Sequence, residues 1–212
     1  MTLPRLMLAD DHTILVEAFC KLLEPHYDVV GTVSDGGSLV EAAPQLNPDV
    51  IVVDIGMPLM NGLEAGLRVK EKLPGVKLVF LTMNEDPDLA SEVMRSGASA
   101  YLLKSSAVEE LIRAIRNALK GKLYVTPQIA RGMEKSFIKN PQVKGQAKVL
   151  TPRQREVVQL LAEGKSMKEV ASVLKVTPRT VAFHKYRVME KLNLGSTAEL
   201  IQFAIKSRIL IR

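Results

Sequence analysis

Asp10 and Asp11, Asp54, Thr82 and Lys104 each follow a short apolar run: Arg5 to Ala9, Val50 to Val53, Lys77 to Leu81, and Ala100 to Leu103. The run Val50-Ile51-Val52-Val53 is β-branched throughout, so it is no half-exposed alternating strand. It reads as a central strand buried on both faces, as in a parallel sheet. In open α/β sheets, ligands bind at the carboxyl ends of the strands. Taken alone, Asp54 is either a cap of the following turn or a working group. Taken with its counterparts, it belongs to a set of carboxylates that repel one another unless a cation or a proton relieves them. Mg²⁺ suits such a set, because it takes one or two carboxylates, keeps several waters and binds phosphate oxygens. Lys104 and the Thr82 hydroxyl add a positive point charge and a hydrogen-bond donor, which fit a phosphoryl group better than a carbonyl substrate. A carboxylate can itself attack phosphorus to give an aspartyl-phosphate. Asp54, central in the set, is the candidate nucleophile.

The elements that must bring these groups together alternate. Asp28 to Val33 supplies a further strand, and helical patterns run from His12 to Glu24, Ser38 to Gln45, Asn61 to Lys72, Pro87 to Ser96 and Val108 to Lys120. Pro44 should shorten or distort the second helix. Gly97 terminates the fourth, and Leu111, Ile112, Ile115 and Leu119 mark the buried face of the last. Five strand-helix units imply an α/β fold, a five-stranded doubly wound parallel sheet of flavodoxin-like order 2-1-3-4-5. In that order the strands ending in Asp10-Asp11, Asp54, Thr82 and Lys104 lie side by side.

Composition separates the chain into halves. Residues 1–120 carry 11 Lys and Arg against 17 Asp and Glu, a balance of −6, and residues 121–212 carry 18 against 6, a balance of +12. Two domains with different partners are implied, and the basic one points to nucleic acid. The single cysteine, Cys20, excludes an intramolecular disulfide framework; set among Leu15, Phe19, Leu22 and Leu23, it reads as a small buried hydrophobe. No apolar run approaches the roughly 18 to 20 residues of a membrane span, and Asp10-Asp11 so early do not suit a signal peptide. A soluble cytoplasmic protein without a membrane partner is expected.

Residues 121–149 are basic and broken by Asn140-Pro141 and Gly145, so they read as a tether, with room for one helix between Pro127 and Phe137. Four helical segments follow: Pro152 to Glu163, Met167 to Leu174, Pro178 to Leu192 and Thr197 to Ser207. Thr151-Pro-Arg-Gln154, Ser166-Met-Lys-Glu169 and Ser196-Thr-Ala-Glu199 are capping boxes, and Thr177-Pro178 opens the remaining helix. A short helix, the turn Lys175-Val176-Thr177 and a longer helix make a helix-turn-helix, whose second helix enters the major groove. On that helix Val181, Val188 and Leu192 should face the core. The opposite face carries Arg179, Ala182, Phe183 and Tyr186, flanked by Lys185, Arg187 and Lys191. Cations there would meet phosphates and apolar groups thymine methyls, although Phe183 and Tyr186 would equally serve packing against a neighbouring helix or subunit.

Asp10-Asp11, Asp54-Ile-Gly-Met-Pro58 with Asn61-Gly62, Leu81-Thr82-Met83 and Ser99-Ala-Tyr-Leu-Leu-Lys104 resemble the receiver domain of bacterial two-component response regulators over about the first 120 residues. Leu150-Thr-Pro-Arg-Gln-Arg-Glu-Val157, Ala162-Glu-Gly164, Lys168-Glu-Val-Ala171, Thr180-Val181 with His184, and Lys191-Leu192 resemble the LuxR-type four-helix DNA-binding domain. The whole chain is thus similar to NarL/FixJ-type regulators: a receiver at 1–121, a basic linker at 122–148 and a helix-turn-helix domain at 149–212. The resemblance implies that Asp54 takes a phosphoryl group from a histidine kinase. Asp11, Asp54 and the Gly56 carbonyl would hold Mg²⁺, with Asp10 assisting through water. Lys104 would pair with the phosphoryl group, while Thr82 moves toward it and Tyr101 swings inward. On the DNA side it implies contacts from Lys168, Thr177, Arg179, Thr180, Ala182, Phe183, Lys185, Tyr186 and Arg187 to double-stranded DNA at paired half-sites, with a homodimer formed on activation through the last helix. His184 is either a phosphate contact or a structural histidine. Two departures stand out: Ser105 where many receivers have proline after the lysine, and Ala182 where relatives usually have lysine. The function implied is a phosphorylation-switched transcription regulator, not an enzyme beyond its own phosphoryl transfer and dephosphorylation. The alternatives are a regulator that works without phosphorylation and a Mg²⁺-dependent phosphohydrolase.

Overall fold

Aliphatic runs with no polar face are buried only between neighbouring strands and covering helices, and each such run of the acidic half is a strand in the computed structural model, which describes residues 2–106, 108–139, 150–207 and 209. The elements are β1 (Arg5–Ala9), α1 (Thr13–Leu23), β2 (Asp28–Val33), α2 (Gly36–Leu46), β3 (Val50–Asp54), α3 (Gly62–Lys72), β4 (Lys77–Thr82), α4 (Pro87–Arg95), β5 (Ala100–Leu103), α5 (Val108–Leu119), β6 (Tyr124–Val125) and α6 (Pro127–Lys139). The sheet is parallel, in the order β2-β1-β3-β4-β5-β6. β3 is buried along its whole length, and Leu6, Leu8, Val52, Val79, Leu81, Leu102, Leu111 and Ile115 form the core beneath α1 and α5. Cys20 packs against this core beside Val16 and Phe19; burial first, then Glu24 and Glu17, pushes its thiol pKa up.

The five-strand expectation falls one strand short. β6 pairs Tyr124 with Ala100 and Val125 with Tyr101, through Tyr124 N–H to Ser99 O at 3.1 Å and Thr126 N–H to Tyr101 O at 3.0 Å. A two-residue strand carries no periodicity, so it is invisible in a stretch that composition marks as tether. α6 then lies on α4, so close that a Cβ on Gly132 would stand 2.4 Å from Pro87 Cγ. The basic stretch therefore begins within the sheet unit. Residues 140–149 of it lie outside the described residues.

Pro44 does not shorten α2 as expected: the helix runs through it to Leu46 and ends on Asn47, with φ 43°. Proline cannot donate to the carbonyl four residues back, and that carbonyl, Val40 O, takes Lys72 Nζ at 3.4 Å instead. The loop after β3 is set by a close approach. Gly62 donates its N–H to Ile55 O at 3.0 Å, and a Cβ there would lie 1.9 Å from Asp54 O. Asn61 caps α3 by accepting from Glu64 N–H at 2.9 Å. Asn61-Gly62 is thus the clamp that seats the end of β3.

Contacts divide the chain into two units, Met1–Gln142 and Val143–Ile211. The second holds α7 (Pro152–Ala162), α8 (Met167–Val173), α9 (Pro178–Lys191) and α10 (Thr197–Lys206). Val157, Leu160, Val170, Val181, Val188, Leu200 and Ala204 are buried, while Leu192 is half-buried. The boxes at Thr151/Gln154 and Ser166/Glu169 are reciprocal. At Ser196 the serine accepts from Glu199 N–H at 3.1 Å, but Glu199 Oε2 reaches past it to Gly195 N–H at 2.8 Å. Among the described residues no helix is long and apolar enough to cross a membrane.

Gly62→Ala is expected to lower the unfolding free energy of the sheet unit by about 1 to 3 kcal/mol or more, because backbone must move to admit the methyl. Gly75, with nothing within 4 Å of its Cβ position, provides the control: Gly75→Ala should stay within about 0.5 kcal/mol. Urea unfolding of the variants beside the parent checks both.

Candidate functional site

Asp54 closes β3, 4% exposed, and Asp10 follows β1, 6% exposed. The register of β1 against β3 pairs Ala9 with Val53, so the two carboxyl groups emerge on the same edge. Lys104, after β5, places Nζ 2.7 Å from Asp10 Oδ2 and 2.9 Å from Asp54 Oδ2. One ammonium is thus shared by two buried carboxylates. Asp54 Oδ1 accepts from Gly56 N–H at 3.2 Å. Burial pushes the Asp54 carboxyl pKa up; the Lys104 hydrogen bond and charge oppose this, Asp10 adds to it, and the Gly56 amide opposes it.

The remaining negative charge is the feature that can hold a metal. Asp10, Asp11, His12 and Asp54 each offer a ligand atom, and these atoms lie within 4.8 Å of one another. Asp10 Oδ2 is met by the Lys104 ammonium at 2.7 Å, so the charge left over falls on Asp11 and on one of the two buried carboxylates. A carboxylate-rich set of this kind fits a divalent ion. Sequence reading placed Asp10, Asp11 and Asp54 in the site and left His12 out, as the first residue of a helix. The signal that could have included it is its position immediately after the paired aspartates.

Thr82 and Tyr101 grip one residue from two sides. Thr82 Oγ1 accepts from Asn84 N–H at 3.0 Å, and Tyr101 Oη donates to Asn84 O at 3.0 Å. Tyr101 is fully buried, so its side chain is already inward. Lys104 N–H donates to Thr82 O at 2.7 Å, tying the lysine to the end of β4. Its segment is also tied to the start of α6: Thr126 Oγ1 accepts from Leu103 N–H at 3.3 Å and lies 3.3 Å from Ser106 Oγ. Gln128 Nε2, on α6, donates to Glu85 Oε2 at 3.0 Å. Asn84 and Thr126 have no part in the sequence-based site, and sequence puts the helix expected between Pro127 and Phe137 in a tether, since only tertiary pairing brings these groups here. All peptide bonds of the described residues are trans, including the one before Ser105.

In the second unit, Thr177 caps α9 by accepting from Thr180 N–H at 3.2 Å, with the two hydroxyls 3.0 Å apart. Lys175 makes the turn at φ 52°. Arg153 of α7 locks the pair of helices: it meets Glu156 at 2.7 Å and donates to Leu174 O at 2.8 Å, the C-terminus of α8. The outward face of α9 presents Phe183 and Tyr186, more than half exposed, with Arg187 5.5 Å over the Phe183 ring. Lys168, Thr177 and Arg179 are exposed, Thr180 and Ala182 half-buried, and Lys185 Nζ donates to Thr197 Oγ1 at 2.7 Å. His184 is half-buried, edge-on to Phe183 at 5.6 Å.

Residues 6–116 match the family model described as a response regulator receiver domain, and residues 148–204 the one described as bacterial regulatory proteins, luxR family. The oxygen regulatory protein NreC of Staphylococcus carnosus is 33% identical over 97% of this chain and 99% of its own length. NreC of Staphylococcus epidermidis strain RP62A is 34% identical with the same coverage. Among solved structures, a complex of the two-component response regulator RcsB with DNA is 27% identical, covers 97% of this chain and 99% of that one, and has a TM-score of 0.61. RcsB of Salmonella enterica serovar Typhimurium, bound to promoter P1flhDC with the phosphomimetic BeF3⁻, is 28% identical at 97% and 98% coverage, with a TM-score of 0.62.

The shared ammonium makes a direct prediction. Lys104→Ala leaves two buried carboxylates without their counter-charge, and breaking a buried pair by removing one partner costs about 3 to 5 kcal/mol. The variant should lose stability on that scale in urea without divalent ions and recover part of it in millimolar MgCl₂. Unchanged stability, or a loss that Mg²⁺ does not touch, would contradict the charge balance described.

Proposed function

The chain belongs to the bacterial response regulators that join a receiver domain to a luxR-family domain, and we propose that phosphorylation of Asp54 switches its binding to double-stranded DNA. The observation that carries this reading is the Asp54 carboxylate at the end of β3, 2.9 Å from Lys104 Nζ, beside further carboxylates that can hold a cation. A phosphohistidine of a partner kinase is the donor: an Asp54 oxygen bonds to phosphorus, and the bond to the kinase imidazole breaks. Asp11, Asp54 and the Gly56 carbonyl would hold Mg²⁺, with Asp10 assisting through water. When bound, the ion offsets the charge that gathers on the phosphoryl oxygens.

The chain's own residues then have defined tasks. Lys104, whose Nζ already stands 2.9 Å from Asp54 Oδ2, would turn its ammonium to the phosphoryl group. The Thr82 hydroxyl gives up the Asn84 amide and donates to a phosphoryl oxygen. Because Asn84 O is held by Tyr101, that movement is felt at once by the segment leading into α4. A switch of this kind needs a new local charge and an element that it biases, and the Asn84 clasp supplies the latter. The residue two positions after Asp54 is Gly56, not an acid, which favours a phosphoacceptor over a phosphohydrolase.

The receiver of 1–121, continued by β6 and α6, is followed by the DNA-binding domain of 149–212. There, α9 would enter the major groove with Arg179, Thr180, Ala182 and Phe183 toward base edges, while Lys168, Thr177, Lys185, Tyr186 and Arg187 meet the backbone. That the similar chain RcsB is solved in complex with DNA supports DNA binding by this domain. Paired half-sites and a homodimer formed on activation through α10 complete the reading, in the cytoplasm where kinase and DNA are both reached.

Incubated with Mg²⁺ and acetyl phosphate, the wild-type chain should gain one phosphoryl group by intact mass, and Asp54→Ala none. Equal labelling of the two proteins would overturn the assignment of Asp54.

A further inference from the structure

The outward face of α9 carries cations at its flanks and apolar groups at its centre. Phe183 is 56% exposed and Tyr186 59%, three residues apart and so on one face of the helix, and half-buried Ala182 stands beside Phe183. Lys185 Nζ donates to Thr197 Oγ1 at 2.7 Å and lies 5.5 Å from the centre of the Tyr186 ring. Arg187 lies 5.5 Å over the Phe183 ring, with Glu190 3.9 Å from its guanidinium. His184 meets the same ring edge-on at 5.6 Å, so the phenyl group is held by two neighbours while more than half of it faces out.

What such a centre can recognise follows from the groups it lacks. In the major groove guanine, adenine and cytosine are read through hydrogen bonds, and each needs a donor or an acceptor on the protein. The side chains of Ala182 and Phe183 have neither, and setting them against such an edge strips water from it without replacement. Thymine alone presents an apolar group there, its C5 methyl. A ring already held by Arg187 and His184 meets that methyl at low entropic cost, because the side chain is ordered before DNA arrives. The flanking cations are drawn to phosphates, which seats the face but carries no sequence information.

We infer that Phe183, with Ala182 beside it, reads thymine methyl groups, so that the half-sites of this chain carry thymine where α9 is seated. The inference rests on the entry of α9 into the major groove proposed above, and adds the base chemistry and the residue that sets it. The surround of the face selects DNA over a second copy of the chain: Arg179 and Arg187 are exposed on it, and two such faces brought together would set like charges against each other. Because Phe183 lies outside the buried core, replacing it leaves the fold of the helical unit in place.

The test uses the full chain, with acetyl phosphate and Mg²⁺ present, and a duplex that the wild type selects from a random pool. The duplex is made once with thymine and once with deoxyuridine in its place, which removes only the methyl groups. The wild type should bind the thymine duplex about fourfold more tightly for each methyl that Phe183 covers, the weight of one buried methyl-sized group. Phe183→Ala should bind the two duplexes alike, and Phe183→Leu should keep part of the preference. The dependence of affinity on salt should be the same for all three proteins, because the phosphate contacts are unchanged. Selected half-sites without thymine, or specific wild-type binding indifferent to the methyl groups, would overturn this inference and leave the DNA-binding reading standing. A thymine preference that survives in Phe183→Ala would also overturn it, and if self-association weakens in that variant the ring belongs to a subunit contact. Selection of no duplex by the wild type would sink both readings.

Discussion

Two buried carboxylates share one ammonium: Lys104 Nζ is 2.7 Å from Asp10 and 2.9 Å from Asp54. Charges in a poorly solvated place are costly unless balanced, and here the balance stays negative, with Asp11 alongside. That imbalance is what gives the edge of the sheet its chemistry. Burial raises the Asp54 pKa, with Lys104 opposing and Asp10 adding to it, and the uncompensated charge makes a place for a divalent cation. The fold around it is arranged to hold the imbalance in position. β3 is buried from end to end, and Gly62 lets the chain fold back against the Asp54 carbonyl.

The same residues are wired to their surroundings by backbone. Lys104 N–H holds Thr82 O, Thr82 and Tyr101 clasp Asn84, and Thr126 ties the lysine's segment to the start of α6. α6 in turn lies on α4, whose approach carries Asn84 and Glu85. A redistribution of charge at Asp54 therefore meets a connected set of hydrogen bonds rather than isolated side chains. α6 is the last described element before the second unit.

The cluster was legible because each of its groups follows an apolar run, and a parallel sheet of the expected order brings the run ends together. The helix-turn-helix was legible from caps, since Thr151, Ser166 and Thr177 announce their helices by local chemistry alone. What escaped depends on partners distant in sequence. β6 is too short for periodicity and exists by pairing with Ala100 and Tyr101. Pro44 sits inside α2, and the carbonyl it leaves is met from α3 by Lys72 at 3.4 Å. Arg153 joins α7 to the end of α8, and His12 enters the acid cluster by geometry that the helical pattern alone does not disclose.

The central claim is that charge at Asp54 governs what the basic unit does. It is tested most directly by footprinting a DNA fragment, selected by the full chain from a random pool, at one fixed salt concentration because phosphate contacts are salt-dependent. Wild type and Asp54→Ala are compared with and without acetyl phosphate and Mg²⁺. The phosphodonor should shift the wild-type footprint to lower protein concentration and leave Asp54→Ala unmoved. A wild-type footprint indifferent to the phosphodonor, or an equal shift in both proteins, would contradict it.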